Sequence, residues 1–108
     1  MTQTQTARLN ALCSSVNPGP CIVNFMIEDP NQHVLKQVSM AIMAGHAAFM
    51  DLTAAELASP LRDQRRIELL PFLRFARHTR VIGSVELFDT FSGKTETFTN
   101  VLIEDPNL

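Results

Sequence analysis

Residues 80–104 have the sequence RVIGSVELFDTFSGKTETFTNVLIE. Two runs rich in β-branched and aromatic residues flank the pair Ser92 and Gly93, and this pattern is typical of an antiparallel β-hairpin. We therefore expect a hairpin to form the C-terminal part of a small sheet.

The register of this hairpin can be predicted from its side-chain pairs. A two-residue turn at Ser92 would set Asp89 opposite Glu96, and two like charges in cross-strand positions are unfavourable. A three-residue loop instead sets Phe88 opposite Phe98, which is a favourable aromatic pair. We expect the three-residue loop.

The N-terminal half predicts one strand between two helices. Residues 4–15 have a helical composition and predict an N-terminal helix, whereas residues 21–27 are a short β-branched and aromatic run that favours a central strand. Asp29 followed by Pro30 is a helix start, and the apolar spacing after it predicts a helix that extends to about Met50.

Further helices are predicted before the hairpin. Residues 53–56 have the pattern of a capping box, and Ser59 with Pro60 is a helix start. The second of these helices should end near Leu70, because Pro71 follows. Residues 72–78 fit a helix and a strand equally well.

These elements together predict an α+β fold. The chain has 108 residues, of which 45% are hydrophobic, and we expect one globular domain over residues 1–108. An N-terminal helix, a central strand, two to three helices and the C-terminal hairpin would form a three-stranded sheet with helices on one face.

Six of the nine cationic residues lie in the segment 62–80, and all six are arginine: Arg62, Arg65, Arg66, Arg74, Arg77 and Arg80. Clustered guanidinium groups suit phosphates and carboxylates. We expect a nucleic-acid-binding regulator that uses these arginines on phosphates, with Phe75 or Phe91 as a stacking residue. The alternative is a solvated face whose charge is neutralised by carboxylates such as Asp63 and Glu68.

A second function class rests on an apolar stripe along the predicted helix 30–50. The stripe consists of Met40, Met43, Ala47 and Met50. It would serve a protein–protein interaction module, such as an inhibitor, adaptor or assembly factor, that self-associates through this face or through a hairpin edge. The expected partners are therefore nucleic acid or an acidic protein surface, with a homo-oligomer as the expected assembly.

No pattern predicts catalysis, a cofactor or a metal site. His33, His46 and His78 lack the spacing of metal ligands, and no nucleophile can be placed beside a base. The acidic pairs 28–29 and 104–105 would form at most a weak cation site if their strand ends met. We expect a protein that is not an enzyme.

The cysteines and the N-terminus bear on location. The N-terminal residues lack the pattern of a signal peptide, so we expect a cytoplasmic protein in which Cys13 and Cys21 are reduced, with a disulfide between them as the alternative. The longest apolar run, residues 38–50, is shorter than the roughly 20 residues of a membrane span, and no membrane partner is expected.

Overall fold

Two antiparallel β-sheets make up the fold in a computed structural model that describes residues 1–15, 19–58 and 61–100. The strands in these ranges are β1 (Gln5–Cys13), β2 (Cys21–Glu28), β3 (Val34–Ile42), β4 (Ala47–Thr53), β5 (Leu70–Phe75), β6 (Val81–Asp89) and β7 (Thr95–Asn100). One sheet has four strands in the order β4-β1-β6-β7, and the other has three in the order β3-β2-β5.

The predicted α+β fold is wrong. Within the described ranges, the helices are two single 3₁₀ turns, Ala54–Glu56 and Leu61–Asp63. The predicted N-terminal helix is β1, and the predicted helix 30–50 is β3, a turn and most of β4. Of the predicted helix starts, the structure confirms the capping box at Thr53, whose backbone N–H donates to the Glu56 carboxylate at 3.0 Å.

Alternating burial explains why β1 is a strand. Ala7, Leu9, Ala11 and Cys13 are all buried, and the residues between them are more exposed. Side chains of a strand point to opposite faces in turn, so this period of two covers one face of a sheet with apolar groups. A helix over the same residues would have distributed them around its circumference.

The same period of two runs through β3 and β4. Val38, Met40 and Ile42 face β2 residues of the core and alternate with exposed residues of β3. The chain then turns at Gly45, whose φ of 81° is open to glycine and strained for other residues. This turn carries the chain from the three-stranded sheet to the four-stranded sheet.

The core lies between the two sheets. The largest fully buried side chains are those of Phe25, Phe75, Leu9, Ile27, Leu52, Ile67, Leu73, Val23, Cys13 and Cys21. All except Ile67, which precedes β5, come from the strands of the two sheets, as expected where two sheets pack face to face through alternate residues. Among the described residues, no helix is long and apolar enough to cross a membrane.

A disulfide joins the two sheets. Cys13 ends β1 in the four-stranded sheet, Cys21 begins β2 in the three-stranded sheet, and the two form a disulfide with both side chains fully buried. The expectation of two reduced thiols is therefore wrong. Both cysteines sit at inward positions of adjacent strand ends, which places them opposite each other across the core.

The C-terminal hairpin is confirmed as β6 and β7, but its predicted register is wrong. Phe98 lies opposite Glu86, and Phe88 lies opposite Thr95. A β-bulge between Leu87 and Phe88 shifts the pairing, and a bulge leaves no trace in the pattern of apolar residues.

The outer face of the four-stranded sheet carries a polar group centred on Arg8. The Arg8 guanidinium donates to both Asp51 carboxylate oxygens at 2.8 Å and lies 4.0 Å from the Phe49 ring centroid and 5.0 Å from that of Phe88. The hydrogen bond to Asp51 raises the pKa of Arg8. The Arg8–Asp51 pair covers part of the Phe49 and Phe88 rings, which would otherwise face water.

The strand directions define two ends of the molecule. The disulfide end contains the Cys13–Cys21 bond and the turns at residues 43–46 and 76–80. The opposite end contains residues 1–4, the turn at 29–33, residues 54–58 and 61–69, and the loop 90–94. We call the second of these the N-terminal end.

Candidate functional site

The unequal number of strands leaves one side of the molecule open. Contacts join β3 to β4 and β5 to β6, so the three-stranded sheet covers β4, β1 and β6. The inner face of β7 has no described strand above it, and Thr97 and Thr99 on that face are exposed. An exposed inner face is unusual in a two-layer fold, whose sheets bury one face each.

A groove of about 350 Å³ lies along this open side. Its lining residues are Met1, Ala7, Ile27, Arg66, Ile67, Glu68, Leu69, Pro71, Val85, Leu87, Thr97 and Thr99. The floor is the inner face of β1 and β6, one wall is the segment 66–71, and β7 forms the other margin. Most of these side chains are apolar, which is the usual lining of a binding cleft.

Backbone hydrogen bonds fix the wall at Ile67. Its N–H donates to the Met1 carbonyl at 2.7 Å, and the Met1 amino group donates to the Ile67 carbonyl at 2.9 Å. Burial lowers the pKa of that amino group, and the negative charge of Glu68 opposes this effect. Ile67 is only 1% exposed, so the wall is anchored in the core.

The mouth of the groove carries two opposite charges. Arg66 Nε lies 3.4 Å from Glu68 Oε1, and both side chains are well exposed. An exposed pair of this kind contributes little to stability. The two charges offset each other, so the Met1 amino group is the remaining charge of the described lining, above a floor that is apolar.

The edges of the two sheets differ in how they are protected. Pro71 lies on the edge strand β5 and removes a backbone donor there. On the other side of the molecule, Lys36 Nζ of β3 donates to the Asp51 carbonyl of β4 at 2.6 Å and ties those two edges together. Beyond the bulge, residues 97–100 of the edge strand β7 contain no proline and no charged residue, which are features that commonly prevent an edge strand from pairing.

No protein-family model, curated protein or solved structure matches this chain.

The first three of the predicted arginines lie at the N-terminal end. Arg62 belongs to a 3₁₀ turn that ends at Asp63, so no described helix places it on one face with Arg65 and Arg66. Arg62 Nε lies 3.8 Å from the Asp63 carboxylate, and Arg66 pairs with Glu68. All three arginines are exposed.

The other three arginines lie toward the disulfide end. Arg74 is on the outer face of β5 with its guanidinium 5.5 Å from the Phe72 ring centroid, and Arg77 and Arg80 belong to the turn that follows β5. The length of β5 separates this group from the first. Of the proposed stacking residues, Phe75 is buried in the core and Phe91 is 88% exposed at the N-terminal end.

The methionine stripe is not one surface. Met40 packs against the core from β3 and Met50 is buried on β4, whereas Met43 and Ala47 are exposed at the disulfide end. The stripe depended on the helix 30–50, and strands place the four side chains on different faces.

The titratable groups form no reactive cluster in the described ranges. No three His, Cys, Asp or Glu side chains converge there. His33 Nδ1 lies 3.2 Å from Asp29, whose pKa is lowered mainly by the N–H of His33 and also by that of Asn31. Residues 104–105 lie outside the described ranges. That the protein is not an enzyme stays a prediction.

Sequence reasoning missed the groove residues Ile67, Leu87, Thr97 and Thr99. One signal was present, because Thr97 and Thr99 alternate with Phe98 in β7. Alternating threonines on a hairpin strand indicate a face that is neither core nor fully solvated. The wall at Ile67 had no such signal, since its position depends on hydrogen bonds to Met1.

Proposed function

We propose that this chain is a non-enzymatic protein-binding module that takes one extended, mainly apolar segment of a partner protein into the groove beside β7. The observation that carries the proposal is the inner face of β7, above which no described strand lies, beside an apolar groove. A segment seated there would cover apolar surface of Leu87 and Val85 that is only partly buried. Burial of such surface is the main driving force of protein association.

The charge and shape of the groove favour an uncharged segment. Among the described residues that line it, the ionic groups are Arg66, Glu68 and the Met1 amino group, and the first two lie close enough to offset each other. A charged side chain pressed onto the apolar floor would lose its hydration without finding a partner. The groove is open along β7, so it fits a chain passing through better than an enclosed small molecule.

The free edge of β7 supports an extended backbone for that segment. An edge strand without proline or lysine offers unpaired N–H and C=O groups to a second strand. Recognition of this kind takes affinity from main-chain hydrogen bonds and specificity from alternate side chains. Self-association through the hairpin edge is the version of this proposal in which a second copy supplies the segment.

A nucleic-acid-binding regulator has less support. That prediction required six arginines on one continuous surface, and the length of β5 separates them into two groups of three. The cytoplasmic location also stays a prediction. The Cys13–Cys21 disulfide weighs against it, because cytoplasmic thiols are kept reduced.

The proposal is tested by titrating the full chain into a labelled peptide of alternating valine and threonine with lysines at its end. Fluorescence anisotropy should show saturable binding, and Thr97→Lys should weaken it by about tenfold or more because a charge then faces the apolar groove. Thr95→Lys is the matched control. Thr95 is on the same strand, but its hydroxyl donates to Glu86 on the outer face at 2.9 Å.

A second peptide with proline at its central position separates main-chain pairing from non-specific adhesion. It keeps the apolar side chains but lacks a backbone donor, so its binding should be weaker. Equal binding of the two peptides, or equal effects of Thr95→Lys and Thr97→Lys, contradicts the proposal. Sedimentation of the chain without peptide reports whether a second copy already occupies the groove.

A further inference from the structure

The charges at the disulfide end are all of one sign among the described residues. Arg74, Arg77 and Arg80 are exposed there, and the described turns and strand ends at that end contain no Asp or Glu. Within the described ranges, Arg77 and Arg80 have no carboxylate within ion-pair distance. The described carboxylates lie in the middle of the molecule or at its N-terminal end.

Exposed aliphatic side chains surround the same end. Leu12 is 37% exposed, Ile22 48% and Ile82 58%, and each lies one residue from the end of its strand. Met43, in the turn after β3, is 55% exposed. Two further aliphatic side chains, Val34 and Leu70, are exposed at the N-terminal end, so the disulfide end has the larger share. The outer faces of sheets are usually polar, and four exposed aliphatic groups at one end beside exposed arginines mark a surface that meets a partner.

The disulfide holds this arrangement rigid. Leu12 precedes Cys13 and Ile22 follows Cys21, so the bond between the sheets fixes the spacing of two aliphatic side chains on opposite outer faces. Pre-ordered side chains lose less conformational entropy when they bind. Arg77 projects from the turn between the same two faces.

We propose that the disulfide end docks on an anionic lipid surface. The three arginines match lipid phosphates and carboxylates in charge, and the aliphatic side chains beside them match the acyl region below those headgroups. Neither the arginines alone nor the aliphatic side chains alone would select an anionic lipid surface. The contact is peripheral and requires no span.

A lipid surface fits these residues better than a nucleic acid does. Binding of single strands relies on aromatic side chains that stack on bases. At the disulfide end Phe75 is only 2% exposed, and the most exposed aromatic residue described, Phe91, lies at the opposite end. The exposed aliphatic groups Ile22, Met43 and Ile82 would gain nothing from a phosphate backbone.

The test is co-sedimentation of the full chain with vesicles of phosphatidylcholine, with and without phosphatidylserine at about one-third of the lipid. Binding should require phosphatidylserine and should weaken as salt rises, because salt screens exposed charges. Arg77→Gln should lower the partition coefficient about fivefold, which is the effect of one basic residue at an anionic surface. Met43→Ser should lower it separately.

Arg65→Gln is the matched control, since Arg65 is exposed at the N-terminal end. It should leave vesicle binding unchanged, and thermal melting of each variant checks that the fold is intact. The proposal is overturned if phosphatidylserine vesicles do not bind, or if Arg65→Gln and Arg77→Gln act equally. It is also overturned if a single-stranded oligonucleotide binds more tightly than the vesicles with the same dependence on Arg77. Free inorganic phosphate should not displace the chain from the vesicles when its concentration of negative charge equals that of the phosphatidylserine. Displacement would show that the site recognises phosphate and not a lipid surface.

Discussion

The Cys13–Cys21 disulfide gives the sharpest prediction about stability. The two residues are separated by 8 positions in the chain. Loop-closure entropy for such a short loop gives a stabilisation of about 2.5 kcal/mol at 25 °C. For a chain of 108 residues, an unfolding entropy of about 2.1 cal/mol/K per residue converts this into a fall in Tm of about 11 °C.

The assay is calorimetric melting of the oxidised protein, of the same protein after reduction, and of the double variant Cys13→Ala/Cys21→Ala. The reduced protein should melt about 11 °C below the oxidised one. The double variant should melt at or below the reduced protein, because it also loses two buried sulfur atoms. Thiol titration of the unreduced, unfolded protein should find no free thiol. Two free thiols, or a Tm that reduction does not change, would refute the reasoning.

Three other perturbations have defined outcomes. A double-mutant cycle of Arg8→Gln and Asp51→Asn, followed by urea unfolding, should give a coupling free energy of about 0.5–1 kcal/mol, since the pair is bidentate but about one-third exposed. A coupling free energy of zero would contradict a stabilising Arg8–Asp51 pair. Gly45→Ala should cost about 1 kcal/mol of unfolding free energy, because φ there is 81° while an added Cβ meets no atom within 4 Å; an unchanged stability would show that the turn relaxes. Hydrogen bonds from backbone N–H groups lower the pKa of Asp29 and Asp89 in the folded protein. The two ionised carboxylates therefore stabilise the fold above the ordinary carboxyl pKa, and this stabilisation is lost as pH falls through their lower pKa values in the folded state. Melting of Asp29→Asn/Asp89→Asn from neutral to acid pH should then fall less steeply than that of the natural chain, and parallel curves would count against this cause.

The part of the fold that could be predicted lies where local pattern and tertiary structure agree. Residues 21–27 and the hairpin after Arg80 are rich in β-branched and aromatic residues, and both regions are strands. The capping pattern at Thr53 is also present, because it depends only on residues a few positions apart. In each of these places, propensity and environment favour the same structure.

The prediction of the rest of the fold failed where residues that favour helices occupy strands. Methionine and alanine in β3 and β4 suggested a helix, yet Val38, Met40 and Ile42 alternate with a period of two and pack on β2. Burial against a neighbouring sheet outweighs propensities that differ by less than about 1 kcal/mol per residue. Gly45 was the visible signal of a turn inside the predicted helix.

The candidate site was harder to predict than the fold. The groove depends on which strand lacks a facing partner and on the contact between Met1 and Ile67, and neither is written in a local pattern. The arginines were visible as a charge cluster, but their division between two ends required the direction of β5. Charge counts identify a cluster along the chain and do not place it in space.

The groove beside β7 is tested most directly by two-dimensional amide NMR of the labelled full chain during titration with the valine–threonine peptide. The resonances of Leu87, Thr97 and Thr99 should shift progressively and saturate, while those of the opposite edge strand β4 stay in place. Absence of shifts at β7, or shifts of similar size on β4, would contradict a binding site at this groove.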